Sequence, residues 1–433
     1  MFFIGPQIRV SRVSASVAKQ TTEQIAITYM KRTSFLTSSL TLALAPVAAL
    51  AETPGPVAST SPDPQETPRR YSADDVRRVI AENRKIVSPS GVEELLKIDV
   101  NDCAQWLSIR GRDRRNPVLL YLHGGPGSPT MPEAWTFQSP WEDYFTVVQW
   151  DQRGAGKTYA SNDPALIAPT MTGDQMIKDT EYVVRYLLER LRKKKLFALG
   201  HSWGSYLGLE LARRHPDLLH AYIGTGQIVN TQRSERDGYD FALRNAKRDA
   251  NETAVAALEG LAPYPGPIGS LTVDRISVQR QWLVYYGGLT KNRSSFDYDS
   301  DAWRFSPEYT DRDIRLADAG SLFSLTHLLA EVERMNFDDL ASVGCPILIL
   351  QGRYDYETSY TVARQWFELL RAPHKDFVTF ENSSHMAPLE QPGQYLECLV
   401  SLARPLAVSD GDGPSREPTT LDRTGARRLG TEG

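Results

Sequence analysis

Cysteine is scarce: Cys103, Cys345 and Cys398 are the three thiols in 433 residues, and they lie far apart. So few exclude a disulfide scaffold, an odd number leaves at most one bridge, and no metal-ligand spacing occurs. Buried free thiols are the expectation. An excess of charge of one sign is missing as well. Lysine and arginine number 49 against 53 acids, a formal net charge of -4, so nothing points to nucleic-acid binding. The basic run Lys193-Lys194-Lys195 sits at an expected helix end, where cations complement the dipole and are solvated. Long apolar runs are lacking too. The stretch that ends at Leu50 is short and broken by serines, threonines and Pro46, so no membrane span is expected. No internal repeat is visible. What is present is apolar material: 41% of the residues are hydrophobic, enough for a large core with an inserted subdomain.

The most informative stretch is Gly200-His201-Ser202-Trp203-Gly204. It follows the apolar run Leu196-Phe197-Ala198-Leu199 and precedes the amphipathic segment from Ser205 to Arg214. Strand, sharp turn and helix with a serine at the apex make the G-x-S-x-G nucleophile elbow. A serine on so tight a turn is strained, and bulk two residues to either side would strike the neighbouring strand and helix. The turn lifts the hydroxyl clear of the sheet and aims a helix N-terminus at it, where developing negative charge is favoured. Upstream, the buried-strand pattern Pro117 to Leu122 ends in His123-Gly124-Gly125-Pro126-Gly127. A glycine-rich loop there can offer a bare backbone N–H. The N–H groups of Gly125 and Trp203 are the expected oxyanion donors.

The acid and the base follow in chain order. Pro346 to Leu350 is another buried strand, followed by Gln351-Gly352-Arg353-Tyr354-Asp355, and a carboxylate just past a strand end can reach a histidine on the next loop. Glu357 is the rival acid, read as a surface or capping charge at the start of the next helix. Of the seven histidines, His123, His201, His215 and His220 come too early, and His327 lies in a helical pattern before the acid. His374 precedes the last expected strand, Phe377 to Phe380, whereas His385 follows it. His385 is the expected base. The segment Ala155-Gly156-Lys157-Thr158 imitates the end of a phosphate-binding loop, but its first glycine would fall at Asp151, so nucleotide binding is rejected. Asp151 and Arg153 read as an ion pair or loop clamp beside the site.

Four motifs in this order carry a family resemblance: His123-Gly124-Gly125-Pro126-Gly127, Asp151-Gln152-Arg153-Gly154-Ala155-Gly156, Gly200 to Ser205, and Gly352-Arg353-Tyr354-Asp355. Together they resemble the proline iminopeptidase family of α/β-hydrolase serine hydrolases, over about residues 95 to 405. The resemblance implies an α/β fold with a mostly parallel central sheet, helices on both faces and an inserted helical cap. It implies a triad of Ser202, Asp355 and His385 that forms an acyl-enzyme, no cofactor or metal, and a small-molecule or short-peptide substrate. Family members hold the substrate ammonium with acids near a W-x-x-W-E stretch of the cap. Here the nearest analogue, Gln281 to Gly288, carries Trp282, Tyr285 and Tyr286 as candidate substrate contacts but no carboxylate. Cap acids such as Glu252, Asp297, Asp299 and Asp301 are substitutes among which nothing selects. Three readings stay open: an aminopeptidase, an esterase, lactonase or amidase on a small hydrophobic acyl compound, and a non-catalytic binding module. The intact motifs count against the last.

Organisation follows from composition. Met30-Lys31-Arg32, an apolar middle and Ala49-Leu50-Ala51 form a secretory signal over 30–51, with 1–29 read as an over-extended reading frame. Export to the periplasm or medium is then expected, and a cytoplasmic enzyme if the segment is not functional. Residues 52–75 read as a linker. Hydrolase core is expected over 76–228 and 336–406, a helical cap over 229–335, and a disordered polar tail over 407–433.

Overall fold

A computed structural model describes residues 71–414. The expected leader, export signal, most of the linker and the chain beyond 414 lie outside the described residues. Eight strands form one sheet in the order β1-β2-β4-β3-β5-β6-β7-β8. β1 (Val92–Asp99), β2 (Ala104–Gly111) and β4 (Thr146–Asp151) pair antiparallel; β4, β3 (Val118–Leu122), β5 (Leu196–His201), β6 (Leu219–Thr225), β7 (Ile347–Gly352) and β8 (Lys375–Phe380) run parallel. The central strands are buried throughout and mostly apolar because both faces are covered. Leu120 and Ala198 point into one core with Val148 and Ile349. Leu119, Tyr121, Phe197 and Leu199 point into the other, beside Trp141 and Tyr395, whose rings stack 5.5 Å apart.

Helices cover the sheet where the spacing allows. The helix Gly173–Arg190 is capped by the Thr172 hydroxyl and buries Met176, Ile177, Thr180, Val183, Val184 and Leu187, one stripe at helical period. Between β6 and β7 stand five α-helices: Thr231–Arg248, Glu252–Glu259, Val273–Tyr285, Asp297–Arg304 and Asp311–Val332. They have a core of their own, in which Tyr239, Leu258, Tyr264, Leu271 and Trp282 are buried. The last of them touches the sheet's C-terminal edge, where the Ser321 and Ser324 hydroxyls donate to the carbonyls of Gly127 (2.7 Å) and Gly154 (2.9 Å).

Two sequence expectations change. Residues 407–414 are not a loose tail: a helix runs to Ser409, and Asp410 and Asp412 each lie 3.0 Å from a ring nitrogen of the buried His220. Lys193 and Lys195 pair with the same two carboxylates, so the lysine cluster is an anchor as much as a solvated helix end. Cys103, Cys345 and Cys398 are buried free thiols. Among the described residues no helix is long and apolar enough to cross a membrane.

Candidate active site

Five loops leave the C-terminal ends of β3, β4, β5, β7 and β8 at the same edge, where open α/β sheets bind ligands. Ser202 follows β5 with φ 55° and ψ -121°, a left-handed conformation that costs on the order of 1–3 kcal/mol. Three bonds hold it there. Its N–H donates to the Thr225 carbonyl at 3.0 Å, and its own carbonyl accepts the Ser205 N–H (2.7 Å) and hydroxyl (2.6 Å). The flanking glycines are required by backbone clearance. A Cβ on Gly200 would lie 2.3 Å from the Gly204 carbonyl oxygen, and one on Gly204 1.8 Å from that of Leu122.

The glycine-rich loop sits against this turn. A Cβ on Gly124 would be 3.0 Å from Ser202 Cβ, and Gly125 has φ +111°. Trp203 opens the helix Trp203–Arg214, so its N–H has no acceptor within that helix. One glutamine ties loop to elbow: the Trp203 indole N–H donates to Gln152 Oε1 (3.0 Å), and the Gln152 side chain donates to the His123 carbonyl (3.1 Å). His123 completes the tie, accepting the Gln152 N–H on Nε2 and donating from Nδ1 to the Gly124 carbonyl. Burial pushes its pKa down to about 4, so it is neutral near pH 7.

Asp355 and His385 meet here. The Nδ1–H of His385 donates to Asp355 Oδ2 at 2.9 Å, which leaves Nε2 as the free base. Four other donors fix the carboxylate: the Glu357 and Thr358 amides on Oδ1, and the Gln351 amide and Thr358 hydroxyl on Oδ2. Burial works against charge on His385, but the Asp355 charge and hydrogen bond, with Glu357, outweigh it and raise its pKa. The Ser202 turn and the His385 ring both lie against the end of β6. Ser202 binds Thr225, and a Cβ on the next residue, Gly226, would lie 2.5 Å from His385 Cε1.

His201 supports this arrangement from the elbow. Its Nε2–H donates to the His385 carbonyl at 2.9 Å, and the two rings lie 4.8 Å apart. Burial and the neighbouring His385 push its pKa down to about 3, so it stays neutral. His201→Phe should remove this donor and lower kcat about tenfold or more with KM little changed, because small displacements at a reacting centre are costly. Steady-state kinetics would contradict the reading if kcat held.

Residues 117–392 match the family described as the alpha/beta hydrolase fold. The chain belongs to this family. It is 33% identical to the probable aminopeptidase YbaC of Bacillus subtilis over 311 residues, 71% of this chain and 95% of that protein. It is 27% identical to the proline iminopeptidase of Neisseria gonorrhoeae over 246 residues, 55% and 73% of the two chains. Among solved structures, the proline iminopeptidase of Mycobacterium smegmatis shares the fold with TM-score 0.52 at 18% identity, covering 73% of this chain and all of that one. This α/β-hydrolase is thus a hydrolytic enzyme and proline iminopeptidase-like.

Several residues of the hydrolase depart from expectation. Trp282 is part of the cap's own core, against Tyr239 and Leu258, and Tyr285 is half exposed beside Tyr286. Asp151 and Arg153 do not pair with each other. Arg153 donates to Asp179 (2.7 Å), while Asp151 accepts the Lys157 N–H and the Tyr309 hydroxyl, and burial pushes its pKa up to about 7.

Glu357 is not a surface charge, and it precedes the helix Tyr360–Leu369. It pairs with Arg280 of the cap, whose guanidinium also takes Glu235 through two nitrogens. The Tyr264 hydroxyl donates to Glu235 at 2.6 Å. Burial opposes the Arg280 charge, yet the two carboxylates hold its pKa well above the usual value. Sequence reasoning missed this cluster. Its members come from two cap helices, the cap turn that carries Tyr264 and the acid loop, and no spacing announces them.

Proposed function

We propose that this hydrolase cleaves an amide or ester bond through an acyl-enzyme on Ser202, and that it acts as an aminopeptidase on short peptides. The hydrogen bond from His385 to Asp355 beside the serine turn carries the reading. His385 Nε2 takes the Ser202 proton as Oγ attacks the acyl carbon, and Asp355 holds the tautomer and stabilises the imidazolium. The Gly125 and Trp203 N–H groups receive the oxyanion, and His385 returns the proton to the leaving amine or alcohol. Water, activated the same way, then releases the acid and frees Ser202.

The peptidase half of the reading rests on the names of the relatives and on charge. Two carboxylates, Glu235 and Glu357, share the single guanidinium of Arg280 beside the acid loop. Glu235 is occupied by Arg280 and Tyr264. Glu357 holds Arg280 through one oxygen; burial raises its pKa, the Arg280 charge opposes this, and Glu235 adds to the rise, so its carboxylate is poorly compensated and suits a substrate ammonium. A second reading, an esterase, lactonase or amidase for small apolar acyl groups, is favoured by the apolar cluster of Leu283, Leu289, Phe296 and Met386 next to His385. Hydrolysis of a prolyl-arylamide and a short-chain nitrophenyl ester separates the two. Glu357→Gln should raise KM for the arylamide about tenfold or more, since the substrate ammonium would lose its partner charge, and leave KM for the ester unchanged. Equal changes for both, or no arylamide cleavage by the parent, would favour the second reading.

A further inference from the structure

The loops that carry Asp355 and His385 are fastened to one stretch of the cap, residues 287–291. The Tyr356 N–H donates to the Gly288 carbonyl (2.9 Å), the His385 N–H to the Leu289 carbonyl (3.1 Å), and the Ser384 hydroxyl to the Gly287 carbonyl (2.6 Å). A single carboxylate closes this seam from the other side. Glu390, at the end of the short helix Ala387–Glu390, accepts the Ser384 N–H on Oε2 at 2.7 Å. Its Oε1 accepts the Lys291 N–H, with the Thr290 hydroxyl 3.4 Å away. Ser384 immediately precedes His385.

We propose that Glu390 is a positioning residue for His385: it locks the histidine loop onto cap segment 287–291, so that the imidazole is held for proton transfer. The inference rests on the Ser202–His385 reading above. Each oxygen of Glu390 faces a backbone N–H, and an ionised carboxylate alone offers an acceptor at both ends. A glutamine amide would turn an N–H toward an N–H, and a protonated carboxyl would turn an O–H toward one. Burial raises the Glu390 pKa, opposed by the Lys291 and Ser384 amides, the Thr290 hydroxyl and the Arg293 charge. The Lys291 ammonium itself lies over the Tyr354 ring, and the Tyr298 hydroxyl is 3.4 Å from Thr290.

Activity then requires two groups to lose a proton. His385, raised from 6.5, must be neutral to accept the Ser202 proton, so the rate falls as pH drops through its pKa. At lower pH, Glu390 takes a second proton and the seam opens. The parent's log kcat should therefore steepen on the acid side from about one to about two decades per pH unit. In Glu390→Gln the second step disappears, and kcat per active site should be about ten- to a hundredfold lower with KM nearly unchanged.

The test is kcat against pH for parent and Glu390→Gln on a nitrophenyl ester. Active sites are counted by the nitrophenol burst, and only the activity that Ser202→Ala abolishes is read. Unchanged turnover per site in the variant, or a retained second proton, overturns the proposal. A variant with too few folded sites leaves the parent's own acid limb, and a slope of one throughout also overturns it. Activity that survives Ser202→Ala would instead sink the triad reading.

Discussion

Ser202→Ala is expected to lower kcat by about four to six powers of ten on every substrate, because residues that act as a unit fail together. The substitution removes the oxygen proposed to attack and leaves the rest in place. The main-chain bonds to Thr225 and Ser205 do not use the side chain, so the turn at φ 55° survives in outline. His385 keeps its bond to Asp355, and the main chain of Gly125 and Trp203, the proposed oxyanion donors, is unchanged. Substrate binding should be preserved, which makes the variant useful for holding a substrate unreacted. Rates on a prolyl-arylamide and a nitrophenyl ester, with KM or a binding constant beside them, check this. A loss of only about tenfold would mean that another group attacks.

Gly204→Ala is expected to disable the protein through the backbone. The added methyl would stand 1.8 Å from the Leu122 carbonyl oxygen, 2.4 Å from its carbon and 2.8 Å from the His123 oxygen. All three belong to the end of β3 and the loop after it, so no side chain can swing away. Strand and helix must separate, at a cost of about 3 kcal/mol or more. The displaced parts are the ones that bring the oxyanion loop to Ser202, so turnover should fall with stability. Gly393→Ala is the control. No heavy atom lies within 4 Å of its Cβ position, and alanine in a helix should be neutral or stabilise by up to about 1 kcal/mol. Thermal unfolding of the pair decides the matter, and equal midpoints would contradict the packing argument.

The elbow was readable in the sequence because a Cβ on its glycines would stand about 2 Å from neighbouring backbone atoms, and sequence records such constraints as fixed residue types. That Asp355 and His385 would meet was readable because each lies in a loop just past an apolar parallel strand. Contacts between distant elements leave no such mark. Glu235 and Arg280 are 45 positions apart, on separate cap helices, and Glu390 acts through a neighbour's amide. Aromatic spacing did not distinguish cap core from substrate contact: Trp282 lies in the cap core and Tyr285 is half exposed. Adjacency misled for Asp151 and Arg153: the arginine's partner is Asp179, 26 residues on.

The most direct measurement is covalent. The parent protein and Ser202→Ala would be treated with an aryl fluorophosphonate, digested, and examined by mass spectrometry. A single adduct on the peptide that contains Ser202, absent from the variant and formed in step with loss of hydrolysis, is the predicted result. No adduct on an active protein, or labelling elsewhere that abolishes activity, would contradict the assignment of Ser202 as nucleophile.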